Sequence, residues 1–327
     1  FLKNRVGIDI TAYSKDSEDL IIDLELDKSS GYSSSTVNSA SINNQGIEAI
    51  VSVIPVQSRD FTWEIAAQFS TLKSEVISIA DGISKVYVGG YTGRGNIAIP
   101  GMPYGIMEGS VIARDYGTLD GLDHLQVNSD DRTNYTPIVD ANGGYTYLGT
   151  GLIGDPQPDF VYGVTNTMSY KWVSLRVQFD HQVGGDMFST TISTMTGRGI
   201  LGNTGFDRFV PVVTNGVKLD GTVHTKQTTA NQHYWPNTGV FYDEQSVYDA
   251  SVMRLREVSL SLVAPKSFLN GTPFGNASLT VSAQNIWHLA YNTPKDSRFD
   301  PEVSSYGVGS NVRGFDSMTG PTAKKYG

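Results

Sequence analysis

From Val173 to Asp180 the residues alternate without a break, with Val173, Leu175, Val177 and Phe179 on one side and Ser174, Arg176, Gln178 and Asp180 on the other. A side-chain period of two belongs to an extended strand, so this segment has one oily and one charged face. The pattern recurs at Phe61, Trp63, Ile65, Ala67 and Phe69 against Thr62, Glu64, Gln68 and Ser70, with Ala66 the neutral exception. It recurs at Leu279, Val281, Ala283 and Trp287, with Asn285 out of step, and at Val6, Ile8, Ile10 and Ala12. Weaker versions lie at Phe160, Val164, Met168 and Tyr170, interrupted by Asn166, in residues 47–54, and at Val258, Leu260 and Leu262. No segment carries a sustained helical stripe with caps, so the chain is predicted to hold very little helix.

A strand with one oily face needs a partner for that face: a second sheet, or lipid. No window carries the roughly 18 consecutive apolar residues of a spanning helix, so any membrane crossing is made by strands closed into a barrel. In 327 residues, 24 Lys and Arg stand against 33 Asp and Glu, a net charge of -9. That balance supplies no basic stripe for nucleic acid. Charged residues make up only 17%, while Gly at 35 and Tyr at 17 are plentiful, a mixture that points to β-structure with many turns. The absence of cysteine excludes disulfides, thiol catalysis and cysteine-type zinc sites. The first residues, from Phe1 to Gly7, carry neither a start methionine nor a signal peptide and read as the middle or end of something larger.

Connection lengths separate the two β-architectures. Tight turns are predicted at residues 55–60 and at Trp172, whereas long irregular stretches fill 80–155, 185–250 and 291–320, all on the opposite side. One-sided long loops belong to an outer-membrane barrel rather than to a sandwich. Phe61, Trp63, Tyr170 and Trp172 cluster at the short-turn end, where an interfacial aromatic girdle would lie. A soluble sandwich with one wet face is the rival reading.

Several ordered segments together resemble the C-terminal part of SusC/RagA-like TonB-dependent outer-membrane transporters: 5–20 (RVGIDITAYSKDSEDL), 42–49 (INNQGIEA), 153–170 (IGDPQPDFVYGVTNTMSY), 184–188 (GGDMF), 254–262 (RLREVSLSL), 284–287 (QNIW) and 300–302 (DPE). The resemblance implies an all-β fold, an antiparallel transmembrane β-barrel of roughly 22 strands, with an N-terminal plug and long extracellular loops. It implies calcium-independent energy input through TonB and a SusD-like lipoprotein over the mouth. Residues 1–327 are then expected to form about the last eight strands, near 4–13, 17–26, 42–54, 60–77, 158–171, 172–184, 252–264 and 277–290. The plug, the TonB-contacting segment and the earlier strands are expected outside this chain. Lys324, Lys325, Tyr326 and Gly327 read as the start of a final strand.

Signals for bond-making chemistry are weak. His124, His181, His224, His233 and His288 lack any metal-ligand spacing. Gly93, Gly95 and Ala98 spell GxGxxA, but Pro100 and Gly101 follow where a phosphate-binding helix would begin, so this segment reads as loop. Asp115, Asp120, Asp123, Asp130 and Asp131 read as solvated loop charge rather than a cation site or a carboxylate pair. No GxSxG elbow occurs. Arg254 and Arg256, read as sharing a face with Val258, Leu260 and Leu262, fall beyond the lipid band and suit a structural pairing with Glu257 or neighbouring strands. The long stretches are rich in aromatic residues. Tyr91, Tyr104, Tyr116, Tyr145, Tyr147, Tyr234, Trp235 and Tyr242 suit packing between loops, or contact with sugars and partner proteins. Tyr91, Tyr104, Tyr116, Tyr234, Trp235 and Tyr242 are the candidates for ligand or partner contact.

The reading favoured is active import of oligosaccharides or peptides across the bacterial outer membrane, which the chain crosses many times. It involves no enzymatic step and no cofactor. A surface scaffold whose loops bind envelope proteins, and an exported glycan-binding sandwich, are the alternatives.

Overall fold

A computed structural model of the chain describes residues 5–25, 27–32, 34–91, 93–115, 134–238, 241–306, 312–320 and 322–327. It opens with three long strands, β1 (Val6–Glu25), β2 (Ser34–Gln57) and β3 (Phe61–Ser78). A first excursion carries β4 (Val86–Tyr91), β5 (Arg94–Ala98), β6 (Ile106–Ile112), β7 (Arg114–Asp115), β8 (Thr136–Pro137) and β9 (Tyr147–Gly154). The chain returns for β10 (Phe160–Tyr170) and β11 (Val173–Val183) and leaves again through β12 (Asp186–Ser189), β13 (Pro211–Val212), β14 (Thr228–Thr229) and β15 (Val247–Asp249). It then builds β16 (Val252–Val263) and β17 (Ser278–Leu289), and a third excursion holds β18 (Phe315–Asp316) before β19 (Lys325–Tyr326).

One eight-stranded wall runs β1-β2-β3-β10-β11-β16-β17-β19, antiparallel at every step. With the excursions removed, each strand pairs with its chain neighbour, the up-and-down order of a barrel wall. The predicted final strand is present, Lys325 and Tyr326 pairing with Gln284 and Ala283. Helix is scarce among the described residues, the α-helical segments being Thr190–Gly197, Ala230–Tyr234 and Lys266–Leu269.

Register keeps the oily residues of neighbouring strands together. Trp63 lies opposite Met168, Met168 opposite Leu175, Leu175 opposite Leu260, and Leu260 opposite Val281. This face stays uncovered: Ile10 is 66% exposed, Val281 57% and Leu279 61%. A sandwich would bury such a row against a second sheet; here it is left for lipid. Asn166, the break in the β10 pattern, lies on the oily face and accepts a hydrogen bond from Trp63 Nε1 at 3.4 Å.

Three expectations are corrected. Residues 4–13 and 17–26, read as two strands, form the single strand β1, with a register shift between Ser17 and Leu20 and Asp19 at φ 53°. Only the polar residues 14–16 separated the two, but ladder pairing is made by backbone and tolerates polar side chains outside the lipid band. The long stretches are not irregular, since β4-β5-β6-β9 form a sheet of their own. Its strands hid because nearly every residue of β6 is buried, which erases alternation. The GxGxxA segment is part of the β4-β5 hairpin, not a loop.

The buried core lies in these excursions and where they meet the wall. Ala40 and Val76 of the wall pack with Val86 and Ala98 of the excursion sheet. Met107, Val111 and Ile153 close on Phe188 and Phe315, and Met187, Ile192 and Leu201 on Phe299. Val76 shares its side of β3 with Glu64 and Gln68, so the folded excursions rest on the polar face of the wall.

Candidate functional site: a loop body seated on the polar face of the wall

The site is the polar face of the wall together with the body folded upon it. Ion pairs with a buried carboxylate tie the excursions to one another. Arg94 of the first pairs with Asp243 of the second at 2.5 Å, and Arg114 with Glu244 at 2.8 Å. Asn96 Oδ1 accepts the backbone N–H of Arg313 at 2.8 Å, and Ser189 Oγ donates to Asp316 at 2.8 Å, which brings in the third.

The third excursion is also bound to the wall, through charge. Arg254 donates to Asp300 at 2.8 Å and meets Asp180 at 3.5 Å, and Arg254 and Asp300 are each 5% exposed. Arg256 reaches Asp180 at 2.9 Å and Glu302 at 2.8 Å, and donates to Asn285 Oδ1 at 3.1 Å. Burial disfavours the Asp300 carboxylate, yet Arg254 and hydrogen bonds from Thr322 and the Glu302 N–H hold its carboxyl below the usual value. Three of the sequence motifs thus meet here: RLREVSLSL, DPE and QNIW.

This placement corrects the reading of the two arginines. Register shifts between Leu255 and Glu257, opposite a shift between Gln178 and Phe179, so Arg256 sits in a bulge. The bulge re-phases the strand. Arg254 and Arg256 turn to the polar face with Asp180, while Val258, Leu260 and Leu262 keep the oily one. The expected pairing with a neighbouring strand holds, through Asp180 of β11, and Asp300 and Glu302 take the place of Glu257.

Aromatic residues mark two levels on the oily face. The girdle at the short-turn end holds Phe61, Trp63, Tyr170 and Trp172. A second, which the sequence pattern did not reveal, runs Phe69, Phe160, Tyr162, His181 and Tyr291, with ring centroids 5.1 to 6.4 Å apart from step to step. His181 shares hydrogen bonds with the Tyr162 hydroxyl at 2.9 Å and the Tyr291 hydroxyl at 3.1 Å. From Phe61 to Phe69 the strand climbs about 26 Å at roughly 3.3 Å per residue, or about 20 Å of height at a barrel tilt of about 40°. That is the scale of an outer-membrane apolar band. Residues 264–277, between β16 and β17, lie at the short-turn end beside Trp172 and are longer than a tight turn.

Of the six aromatic candidates, Tyr234, Trp235 and Tyr242 lie in the second excursion and Tyr104 in the first. Tyr234 stacks edge-on with Phe206 and His233 and lies beneath the Arg208 guanidinium. Trp235 lies beneath Arg198 and against Phe241. Tyr242 donates its hydroxyl to the Tyr145 carbonyl and meets that ring edge-on. Tyr104 packs at the joint between wall and first excursion, where its backbone N–H donates to Ser74 Oγ and burial pushes its hydroxyl pKa up. Tyr91 ends β4 and Tyr147 begins β9, so both belong to strands; the Tyr91 side chain is outside the described residues. Tyr116, His124, Asp120, Asp123, Asp130 and Asp131 also lie outside them.

Recesses open along the joint. One, about 770 Å³, lies among Tyr13, Gly46, Thr71, Lys73, Asp155 and Asp159. Any Cβ on Gly46 would come within 2.4 Å of the Tyr13 hydroxyl and the Thr71 carbonyl, so strand and ring meet there only through glycine. A smaller cavity of about 150 Å³ lies between the helices Thr190–Gly197 and Ala230–Tyr234. Sequence reasoning missed it, because Ser193, His233 and Gln245 carry no motif. Among the described residues no three His, Asp or Glu side chains gather as a metal site.

An open antiparallel wall with an oily outer face, two aromatic girdles and a folded body on its polar side has the architecture of a portion of an outer-membrane β-barrel. No family model matches the chain. TonB-dependent receptor P3 of Formosa agariphila is 26% identical over 336 residues, covering 95% of this chain and 32% of the receptor. TonB-dependent receptor SusC of Bacteroides thetaiotaomicron is 24% identical over 221 residues, covering 63% of this chain and 21% of SusC. The solved RagAB peptide transporter matches 99% of this chain and 33% of its own, with a TM-score of 0.64 at 21% identity. The chain thus resembles SusC/RagA-like TonB-dependent receptors and spans about a third of the length of the curated relatives it matches.

Proposed function

We propose that this chain is the C-terminal part of the barrel of a TonB-dependent receptor, crossing the outer membrane many times and importing oligosaccharides or peptides. TonB acts through a plug elsewhere in the protein, and a SusD-like lipoprotein covers the mouth. The observation that carries the reading is the side on which the loops fold. They rest on the polar face, the lumen side of a closed barrel, where they narrow the mouth and line the path of a solute. The named relatives, which include SusC and a peptide transporter, support the same reading.

Cells lacking the receptor are expected to lose uptake of at least one labelled oligosaccharide or peptide, and removal of TonB to reproduce the loss. Unchanged growth on every large nutrient tested would overturn import. Phe209 and Leu219, more than four-fifths exposed on the second excursion, favour a second reading as a scaffold for envelope proteins. A stable complex that moves no solute would support it.

A further inference from the structure

We propose that the cavity beside the helix Thr190–Gly197 is a subsite for one neutral sugar ring. The inference rests on the import reading and narrows its cargo to a glycan. The volume, about 150 Å³, is that of an engineered cavity which accepts a single benzene ring. Tyr145, Tyr234 and Tyr248 supply ring surface, the kind of apolar face on which the C–H side of a pyranose packs.

The remaining lining is polar but uncharged, with no Asp, Glu, Lys or Arg among its residues. His233 joins it as a neutral ring, since burial lowers its pKa. A peptide terminus or ionised side chain would be buried there without a counter-charge, which is costly. Hydroxyl groups suit the site. Ser193 is 1% exposed, and its Oγ has no hydrogen-bond partner among the described residues. It shares a helix face with Thr196, three residues on, and both line the cavity. Gln245 is exposed at the rim, so one side reaches solvent.

The test uses the full-length receptor in detergent, with glucose, galactose and N-acetylglucosamine as probes and triglycine as control, followed by saturation-transfer NMR. At least one sugar is expected to bind and triglycine not to. Gln245→Ala, at the exposed rim, should weaken binding about fivefold through one lost hydrogen bond. Ser193→Leu should fill the cavity and abolish binding. Failure of all three sugars to bind, which would leave only water there, overturns the subsite, as does binding unchanged in both variants. Peptide uptake without sugar binding refutes the subsite and leaves import standing. Sugar binding without any TonB-dependent uptake does the reverse.

Discussion

Arg254 meets three carboxylates: Asp300, as buried as itself, Asp180, and Glu302 at the exposed edge of the joint. Removing one member of a buried pair strands the other, typically at a cost of about 3 to 5 kcal/mol. Arg254→Met is therefore expected to release the third excursion, read as faster hydrogen exchange over residues 290–306 with the wall unaffected. Acid should act on the same joint. Because the Asp300 carboxyl is held below its ordinary value of 3.8, its stabilising contribution is complete above that value. It is lost as pH falls through the lower folded value. Exchange in this segment should thus rise only below about pH 4, and a rise beginning near neutrality would assign the joint to another group. The sequence made both partners visible, the arginines and the DPE triplet. It concealed their meeting, because one bulge at Arg256 changes which face the strand presents and a period-of-two count cannot see an inserted residue.

The wall strands divide their substitutions by face. Leu175 is on the oily side and Thr165 on the polar side. An arginine at mid-wall on a lipid face costs about 2 to 4 kcal/mol, while a lumen position tolerates it. Leu175→Arg is expected to lower the urea midpoint of the barrel folded in lipid, and Thr165→Arg to leave it nearly unchanged. Equal effects would mean that the oily face is covered by protein. These strands were legible because two solvents imprint alternate residues. β6 was not, since it is buried on both sides and its apolar pairs, Ile106 with Met107 and Val111 with Ile112, flank Glu108, Gly109 and Ser110 without alternation. The cavity beside the helix Thr190–Gly197 was equally hidden, its lining coming from segments more than 100 residues apart.

At the scale of the molecule, tryptophans report which parts meet the bilayer. Trp63, Trp172 and Trp287 belong to the oily face or its rim, whereas Trp235 lies in the loop body. In a receptor whose other tryptophans are replaced, brominated lipid is expected to quench the first three and spare Trp235. Quenching of Trp235 would place the loop body in the membrane. The joint of Ala40 and Val76 with Val86 and Ala98 also bears on how such a protein is assembled. On the proposed reading, half of that core is supplied by strands inserted in the bilayer and half by the excursion on its outer side. The core can close only after β2 and β3 have been delivered and registered. Its closure then acts as a stopper, since sliding the hairpin back would reopen an apolar core to water.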